Sequence, residues 1–378
     1  MRILHTSDWH LGKKLFKLDR HEEHSLYLDW LIDVVHTDKI DILLISGDIF
    51  DSPSPPHQSL KLFYDFLHRL TRNSQVHVFL IAGNHDSGLL IDSAAHLLHD
   101  HRIFVSGRVS QLDQHWHLFK HPSGDLGICL LPFFRSYEIQ QESQDLLKGL
   151  EKILTCPFEV KHRVLLAHHL VGPFEMTGTE QVIALSGLDS LPITLFDSFS
   201  YVALGHIHKH QKIAPHIYYS GSPLAMRFSE SSRKILKEIE INEQGLKITE
   251  REIPAFRELV QIKTTMTDLK SEIEKIPLSS SHLTSVAEVI VKLPSPQPGL
   301  IDEAKELLKK KNIELIAFIP EFEQEIVERK NLRDLYELSE TELLREFYRK
   351  KFPDSQDLPQ ELVNEFQQLL ERERDEIS

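Results

Sequence analysis

The sequence has few cysteines and no long apolar run. Only Cys129 and Cys156 occur in 378 residues, and they do not form a Cys-x-x-Cys pair, which argues against a disulfide framework or a thiolate metal site. No stretch approaches the roughly 20 consecutive apolar residues that span a bilayer, and the amino terminus shows no signal-peptide pattern. We therefore expect a cytoplasmic protein that does not enter a membrane.

Basic residues are also scarce relative to acidic ones. The chain has 43 Lys and Arg against 57 Asp and Glu, which gives a net charge of -14. Proteins that hold polyanions unaided usually carry a broad basic face. If this chain acts on a nucleic acid, we expect a partner to supply much of the basic surface that binds it.

Short apolar segments recur along the first 220 residues. Their length and continuous apolar character are typical of strands buried on both faces, and they cover residues 3–4, 42–45, 76–81, 164–167 and 201–204. Amphipathic helical patterns lie between them. This alternation predicts an α/β layered domain, to which we assign residues 1–253.

Two smaller units are predicted after this domain. Residues 254–325 show a β-α-β-α-β order with a Pro-rich turn at 293–299, which indicates a small α+β capping domain. Residues 326–378 are polar and carry two amphipathic helical patterns, which predict a C-terminal helical hairpin. This hairpin either packs on its own domain or docks its apolar faces on another chain, and the sequence favours neither alternative.

Potential metal ligands follow each of the five predicted strands. Ligands in open α/β sheets gather at the carboxyl ends of strands, because the loops there converge. Carboxylate, amide and imidazole groups suit Mn²⁺, Fe²⁺ or Zn²⁺, and a pair of ions about 3.5–4 Å apart would use seven such donors. In strand order, the motifs are Asp8-Trp9-His10, Gly47-Asp48-Ile49-Phe50-Asp51, Gly83-Asn84-His85-Asp86, His168-His169 and Gly205-His206-Ile207-His208.

This order of motifs resembles the calcineurin-like metallophosphoesterases, whose fold is a layered sandwich of β-sheets flanked by helices. Within them, the opening residues 1–12 closely resemble the SbcD family of nuclease subunits. Further matches lie at residues 45–51, 81–87, 203–209 and 219–223. The likeness is strong from residue 1 to about 230 and covers the remainder only in layout.

The resemblance implies two divalent metal ions with Asp48 as the bridging ligand. Mn²⁺ is the expected metal, with Mg²⁺, Fe²⁺ and Zn²⁺ as alternatives. His168 is preferred to His169, because the first donor after the strand matches the family position. The implied ligands are Asp8, His10, Asp48 and His208 for one ion, and Asp48, Asn84, His168 and His206 for the other.

The resemblance also implies a catalytic pair beside the metals. His85 would protonate the leaving 3′ oxygen, and Asp51 would hold this histidine protonated and oriented. DNA phosphates could be met by basic residues after the first motif, although a basic loop is more often only solvated surface. These residues are Lys13, Lys14, Lys17 and Arg20.

By the same resemblance, the chain is a DNA nuclease that works as a homodimer within a heterotetramer. The capping domain would contact DNA, and the hairpin would bind an SbcC-type coiled-coil ATPase. This partner would supply ATP use, because the chain lacks Gly-x-x-x-x-Gly-Lys-Ser/Thr.

Two alternative functions compete with this one. The first is a protein phosphatase or small-substrate phosphodiesterase, and the second is a scaffold subunit without catalysis. Ser52 and Pro53 stand where the phosphatase pattern has Arg-Gly, and none of the ligand motifs is missing. These two observations favour the nuclease.

Overall fold

A computed structural model describes residues 1–109, 115–143, 145–175, 190–230, 233–242, 244–279, 281–322, 348 and 363. The predicted hairpin at 326–378 lies outside the described residues, except at Tyr348 and Val363. Within the described part of the chain, none of the helices combines the length and apolar character needed to cross a membrane.

The described strands outnumber those predicted from the sequence. They are β1 (Arg2–Thr6), β2 (Lys14–Leu15), β3 (Leu18–Asp19), β4 (Ile42–Ser46), β5 (His77–Ile81), β6 (Ile103–Ser106), β7 (Trp116–Phe119), β8 (Leu126–Leu131), β9 (His162–Ala167), β10 (Tyr201–Leu204), β11 (Gln211–Ala214), β12 (Ile217–Tyr219), β13 (Lys234–Asn242), β14 (Gly245–Ile253), β15 (Leu259–Thr265), β16 (Ser285–Leu293) and β17 (Ile313–Phe322). The helices are α1 (His21–Thr37), α2 (His57–Arg72), α3 (Gly88–Ser93), α4 (Ala95–His99), α5 (Ser136–Ser143), α6 (Leu146–Leu154), a 3₁₀ helix at Ile193–Phe196, α7 (Leu269–Lys275) and α8 (Leu300–Lys309).

Two six-stranded mixed sheets form the body of the molecule. The first has the order β14-β13-β1-β4-β5-β6, and the second has the order β11-β12-β10-β9-β8-β7. The adjacent strands β1, β4, β5 and β6 pair in parallel, as do β8, β9, β10 and β12. The structure contains all five strands that the sequence predicts ahead of the metal motifs. They belong to the parallel parts of the two sheets.

Apolar side chains on the central strands pack in two directions, because successive residues of a strand face opposite sides. Ile42 and Leu44 belong to a buried cluster that also contains Val164 of the second sheet. Leu43 and Ile45 pack instead with residues of α1 and α2. A separate cluster joins the outer face of the second sheet to α5 and α6. The layers are therefore helix, sheet, sheet and helix, which confirms the predicted α/β class.

A smaller sheet follows Ile253, the last residue of β14. It has the order β15-β16-β17, and β15 pairs with β16 in parallel. Helices α7 and α8 pack on it in a cluster of their own. The observed β-α-β-α-β order matches the predicted one, and α8 begins directly after Gly299, whose φ of 84° ends the Pro-rich turn.

Candidate metal centre

The predicted ligand loops meet at one end of the sandwich, where the parallel strands of both sheets end. The backbone N–H of Asp8 donates to the carbonyl of Gly47 at 3.0 Å, and that of His10 donates to the carbonyl of Asp48 at 3.0 Å. Across the sheets, the backbone N–H of His206 donates to Asp8 Oδ1 at 2.9 Å. These bonds tie loops from distant parts of the chain into one pocket.

Four of the seven predicted ligands adopt a left-handed backbone conformation. Residues other than glycine seldom have positive φ, and each such residue costs on the order of 1–3 kcal/mol, which persists only where the surroundings over-determine the conformation. The four φ values are 55° at Asp8, 48° at His10, 50° at Asp48 and 94° at His206. The fold therefore holds these residues in place at an energetic cost.

Asp8, His10 and His208 form the first group of donors. They are buried, and one ligand atom from each lies within 4.8 Å of the others. His10 Nε2 lies 3.1 Å from His208 Nε2 and 3.5 Å from Asp48 Oδ2. Two imidazole nitrogens this close either share a proton or direct two lone pairs at the same space.

Asp48, Asn84, His168 and His206 form the second group. Asp48 Oδ2 lies 3.3 Å from His168 Nε2. Asn84 Oδ1 lies 3.1 Å from His168 Nε2 and 2.8 Å from His206 Nδ1. The other nitrogen of His168, Nδ1, lies 2.7 Å from the carbonyl of Ser46. Because a carbonyl only accepts, Nδ1 carries the hydrogen, and Nε2 is left for a cation.

Two glycines allow the loops to approach one another this closely. A Cβ at Gly83 would lie 2.1 Å from Asp48 Oδ1, and a Cβ at Gly47 would lie 2.4 Å from His168 Nδ1. Gly47 also has a φ of 85°. The glycines of Gly-Asp and Gly-Asn-His-Asp are therefore required by the packing of the donors themselves.

The donor set fits divalent cations. The groups are carboxylate and amide oxygens with imidazole nitrogens, and no cysteine is among them, so the set suits Mn²⁺, Fe²⁺ or Zn²⁺. Asp8 and Asp48 are 0% and 2% exposed. Burying two carboxylates together requires positive charge between them, which cations or protonated imidazoles supply.

The titration of the cluster reflects this need for positive charge. Burial raises the pKa of Asp8 above its usual value, and the charge of Asp48 adds to this effect. Burial also opposes ionisation of Asp48, but the charge and hydrogen bond of His168 hold the pKa of Asp48 well below its usual value. Burial acts to lower the pKa of His168, yet Asp48 outweighs it and raises that pKa to about 9. A cation that binds His168 would therefore displace a proton.

His85 and Asp51 lie beside the first group, but their contact differs from the predicted one. The backbone N–H of His85 donates to Asp48 Oδ1 at 2.9 Å. His85 Nδ1 lies 3.0 Å from the backbone carbonyl of Asp51, not from its carboxylate. The carboxylate lies instead 2.8 Å from Lys13 Nζ and 3.3 Å from His10 Nδ1. The carboxylate is therefore bonded to Lys13 and faces His10, and the main chain of Asp51 orients His85.

His168 enters the cluster and its neighbour His169 does not. His169 Nε2 lies 3.4 Å from the carbonyl of Pro132, and its ring packs against Phe133 and Phe134. Burial lowers the pKa of His169 to about 3. His168 therefore lies among the other candidate donors, whereas His169 lies in an aromatic environment beside them.

The basic residues after the first motif differ in their exposure to solvent. Lys14 and Lys17 are exposed, whereas Lys13 is bound to Asp51. Arg20 is 1% exposed, and its guanidinium donates to Glu23 at 2.7 and 2.9 Å and to the carbonyl of Ala225 at 2.6 Å. The structure contradicts the prediction that Arg20 could meet DNA, because this arginine is buried and its donors are engaged within the chain.

Asp86 is a residue of the site that the sequence reasoning missed. Its buried carboxylate accepts hydrogen from the backbone N–H groups of Ile49, Phe50 and Gly83 at 3.1, 2.8 and 2.8 Å. Burial, followed by the charge of Asp48, raises the pKa of Asp86 to about 6. Asp86 thereby joins the second ligand loop to the third. In the sequence, this role is indicated only by the position of Asp86 as the fourth residue of Gly-Asn-His-Asp.

Two family models match the chain. The model of the calcineurin-like phosphoesterases matches residues 1–210. The model described as the type 5 capsule protein repressor C-terminal domain matches residues 255–352. The first match covers more than half of the chain and contains all seven predicted ligands.

Curated relatives are similar along much of this length. The SbcD subunit of the SbcCD nuclease from Escherichia coli (strain K12) is 28% identical over 301 residues, which cover 73% of this chain and 74% of that protein. The corresponding SbcD subunit from Bacillus subtilis (strain 168) is 33% identical over 257 residues, which cover 61% of this chain and 63% of that protein. Among solved structures, the TT1561 protein of Thermus thermophilus has a TM-score of 0.39 at 11% identity, over 67% of this chain and 99% of that one.

Proposed function

Because the chain belongs to the calcineurin-like phosphoesterase family, we propose that it hydrolyses DNA phosphodiester bonds as the nuclease subunit of an SbcCD-type complex. The observation that carries this proposal is the buried cluster of carboxylate, amide and imidazole side chains where both sheets end. The family implies divalent metal ions, and this cluster provides donors that suit them. The names of the relatives direct the proposal to DNA.

Two groups of side chains would hold the ions, and Asp48 would belong to both. We take Mn²⁺ as the metal, because mixed carboxylate and imidazole donors without thiolate suit it. The proposed ligands are Asp8, His10, Asp48 and His208 for one ion, and Asp48, Asn84, His168 and His206 for the other.

His85 is the proposed proton donor to the leaving 3′ oxygen. When bound, two divalent cations lower the pKa of a shared water and neutralise charge on the phosphate that it attacks. His85 Nδ1 is fixed at 3.0 Å from the carbonyl of Asp51, so Nδ1 carries a hydrogen, and the protonated ring can donate from Nε2. The bond from its backbone to Asp48 keeps His85 beside the donors without making it a ligand.

A phosphatase or small-substrate phosphodiesterase could use the same donors. The phosphatase pattern places Arg-Gly after its Gly-Asp-x-x-Asp, and this chain has Ser52 and Pro53 there, so that one phosphate-binding arginine is absent. A scaffold subunit would be expected to lose ligands, and all seven are retained. The DNA nuclease therefore remains the better account of the site.

Substrate preference tests this proposal directly. With Mn²⁺ present, the purified chain should digest linear and hairpin DNA and should leave a phosphoprotein and a cyclic nucleotide largely intact. The products are separated on denaturing gels, and released phosphate is measured for the other two substrates. Intact DNA beside a rapidly hydrolysed small ester would favour the phosphodiesterase, and a chain without bound metal or activity would favour the scaffold.

The partner is proposed to be an SbcC-type coiled-coil ATPase, bound through residues 326–378, with two copies of this chain in the assembly. The net charge of -14 supports a partner, because DNA phosphates need basic groups that this chain offers sparingly. In the sequence, Leu362, Phe366, Leu369 and Leu370 recur at helical spacing, a pattern that predicts an apolar face for docking.

Truncation after Glu328 should separate cleavage from assembly. The shortened chain keeps every proposed ligand, so Mn²⁺-dependent cleavage of short DNA should persist, while co-purification with the ATPase should be lost. Truncation after Leu370 is the matched control, because it removes only the last eight residues and keeps both amphipathic patterns. Full association of the shorter chain would show that the hairpin has a structural role only.

A further inference from the structure

A buried carboxylate, Glu230, lies behind His208. The Glu230 side chain is 3% exposed, and its Oε1 is 4.0 Å from His208 Nδ1. Oε2 accepts hydrogen from Lys234 Nζ at 2.8 Å and from the backbone N–H of Met226 at 3.0 Å. Oε1 is buried and makes no hydrogen bond within the described part of the chain. One oxygen of this carboxylate is therefore hydrogen-bonded, and the other faces the imidazole of His208.

The two nitrogens of His208 have different surroundings. Nε2 faces His10 Nε2 at 3.1 Å, on the side where the first group of donors meets. Nδ1 faces Glu230. A metal-bound histidine usually donates the hydrogen on its other nitrogen to a carboxylate or carbonyl, which fixes the tautomer and the ring orientation. In His168 the corresponding nitrogen donates to the carbonyl of Ser46.

Lys234 holds the carboxylate in place. The lysine is buried, and its Nζ donates to Ser222 Oγ at 3.0 Å as well as to Glu230. The backbone N–H of Ser222 donates to the carbonyl of His208 at 3.1 Å. Because a buried carboxylate needs a paired cation, Lys234 stabilises Glu230 as an acceptor, and Ser222 ties this pair to the ligand loop.

We propose that Glu230 is a positioning residue for metal binding, which accepts the hydrogen of His208 Nδ1 and so directs the lone pair of Nε2 at a cation. This inference rests on the proposed metal centre. The two atoms need to approach by only about 1 Å to reach hydrogen-bond distance. Glu230 touches neither substrate nor metal, and it acts only through the orientation and tautomer of His208.

The substitution Glu230→Gln tests this role in the full-length protein. The glutamine oxygen must serve Lys234 and Met226, so its amide group faces His208 as a donor where an acceptor is required. The metal-stripped protein is titrated with Mn²⁺ in a calorimeter, and its metal-free melting temperature is measured in parallel. We expect one of the two Mn²⁺ ions to bind about tenfold more weakly.

Glu23→Gln is the matched control. Glu23 is also 3% exposed and is also paired with a basic side chain, since Arg20 donates to it at 2.7 Å. Arg257 is a further charged neighbour at 3.7 Å, and among the described residues Glu23 makes no ion pair with a predicted ligand. Both substitutions remove a buried charge, so a general loss of stability lowers both melting temperatures. Only Glu230→Gln should change Mn²⁺ affinity.

The outcomes separate this inference from the proposed function. Wild-type Mn²⁺ affinity in Glu230→Gln would overturn the role of Glu230 and leave the metal centre intact. A wild-type protein that binds no Mn²⁺ would overturn both. If Glu230→Gln does not fold, Glu230→Asp replaces it, because aspartate keeps the charge for Lys234 and withdraws the carboxylate from His208. Weaker Mn²⁺ binding in that variant supports the role, and unchanged binding contradicts it.

Discussion

Asp48→Asn should abolish Mn²⁺ binding in the micromolar range and DNA cleavage with it. The asparagine keeps the shape of the side chain but removes the charge that faces His10 at 3.5 Å and His168 at 3.3 Å. Breaking a buried charge pair costs about 3–5 kcal/mol, which corresponds to a loss of roughly 10²–10⁴ in affinity. Both groups of donors should be affected, because Asp48 lies between them.

Calorimetric titration gives the Mn²⁺ stoichiometry of this variant, and single-turnover digestion of a labelled duplex gives its cleavage rate. Asp92→Asn is the control, because Asp92 also binds a backbone N–H and a basic group, namely Gly107 at 2.6 Å and Arg108 at 3.0 Å, without facing any predicted ligand. The control should bind and cleave as the wild type does. Two tightly bound Mn²⁺ ions in Asp48→Asn would contradict the proposed bridging role of Asp48.

His85→Ala should bind Mn²⁺ normally and lose most of its cleavage. The imidazole is held by the Asp51 carbonyl and lies edge-on to His10 with ring centroids 4.8 Å apart, so its removal leaves the proposed ligands in place. Loss of a general acid typically lowers a rate by about 10²–10⁴. Single-turnover cleavage at saturating Mn²⁺ measures this loss apart from metal affinity.

His36→Ala is a close match for His85→Ala. Both imidazoles are half-buried, and His36 Nε2 lies 3.1 Å from the carbonyl of Leu70 much as His85 Nδ1 lies 3.0 Å from that of Asp51. His36 is in the last turn of α1 and belongs to none of the donor groups. Equal cleavage by both variants would exclude His85 from the chemistry, whereas a selective loss supports it.

Much of the fold and most of the site could be predicted from local sequence. The strands β1, β4, β5, β9 and β10 each contain a short, continuous apolar run, which is typical of central parallel strands. Each is followed by polar donors, and parallel strands end at a common edge. These two local signals suffice to predict that Asp8, Asp48 and Asn84 meet the histidines in one pocket, and the observed contacts agree.

Other features depend on contacts between distant residues and could not be predicted in this way. Nothing local assigns β4 and β9 to different sheets, because each contains a short buried apolar run of the same kind. Arg20 looks like part of an exposed basic loop, and only the folded chain brings it to Glu23 and the carbonyl of Ala225. The motif likewise does not reveal that the Asp51 carboxylate binds Lys13. That contact depends on the arrangement of the folded loops.

The sandwich has a chemical consequence at the pocket. The first sheet carries the loops of Asp8 and Asp48, and the second carries those of His168, His206 and His208, so the spacing between the two sets of donors depends on the thickness of the apolar layer between the sheets. Residues such as Leu44 and Val164 lie in this layer and do not belong to the donor groups, yet they set the distance between the donors of the two sheets. Substitutions that change the volume of this layer should therefore affect catalysis as well as stability.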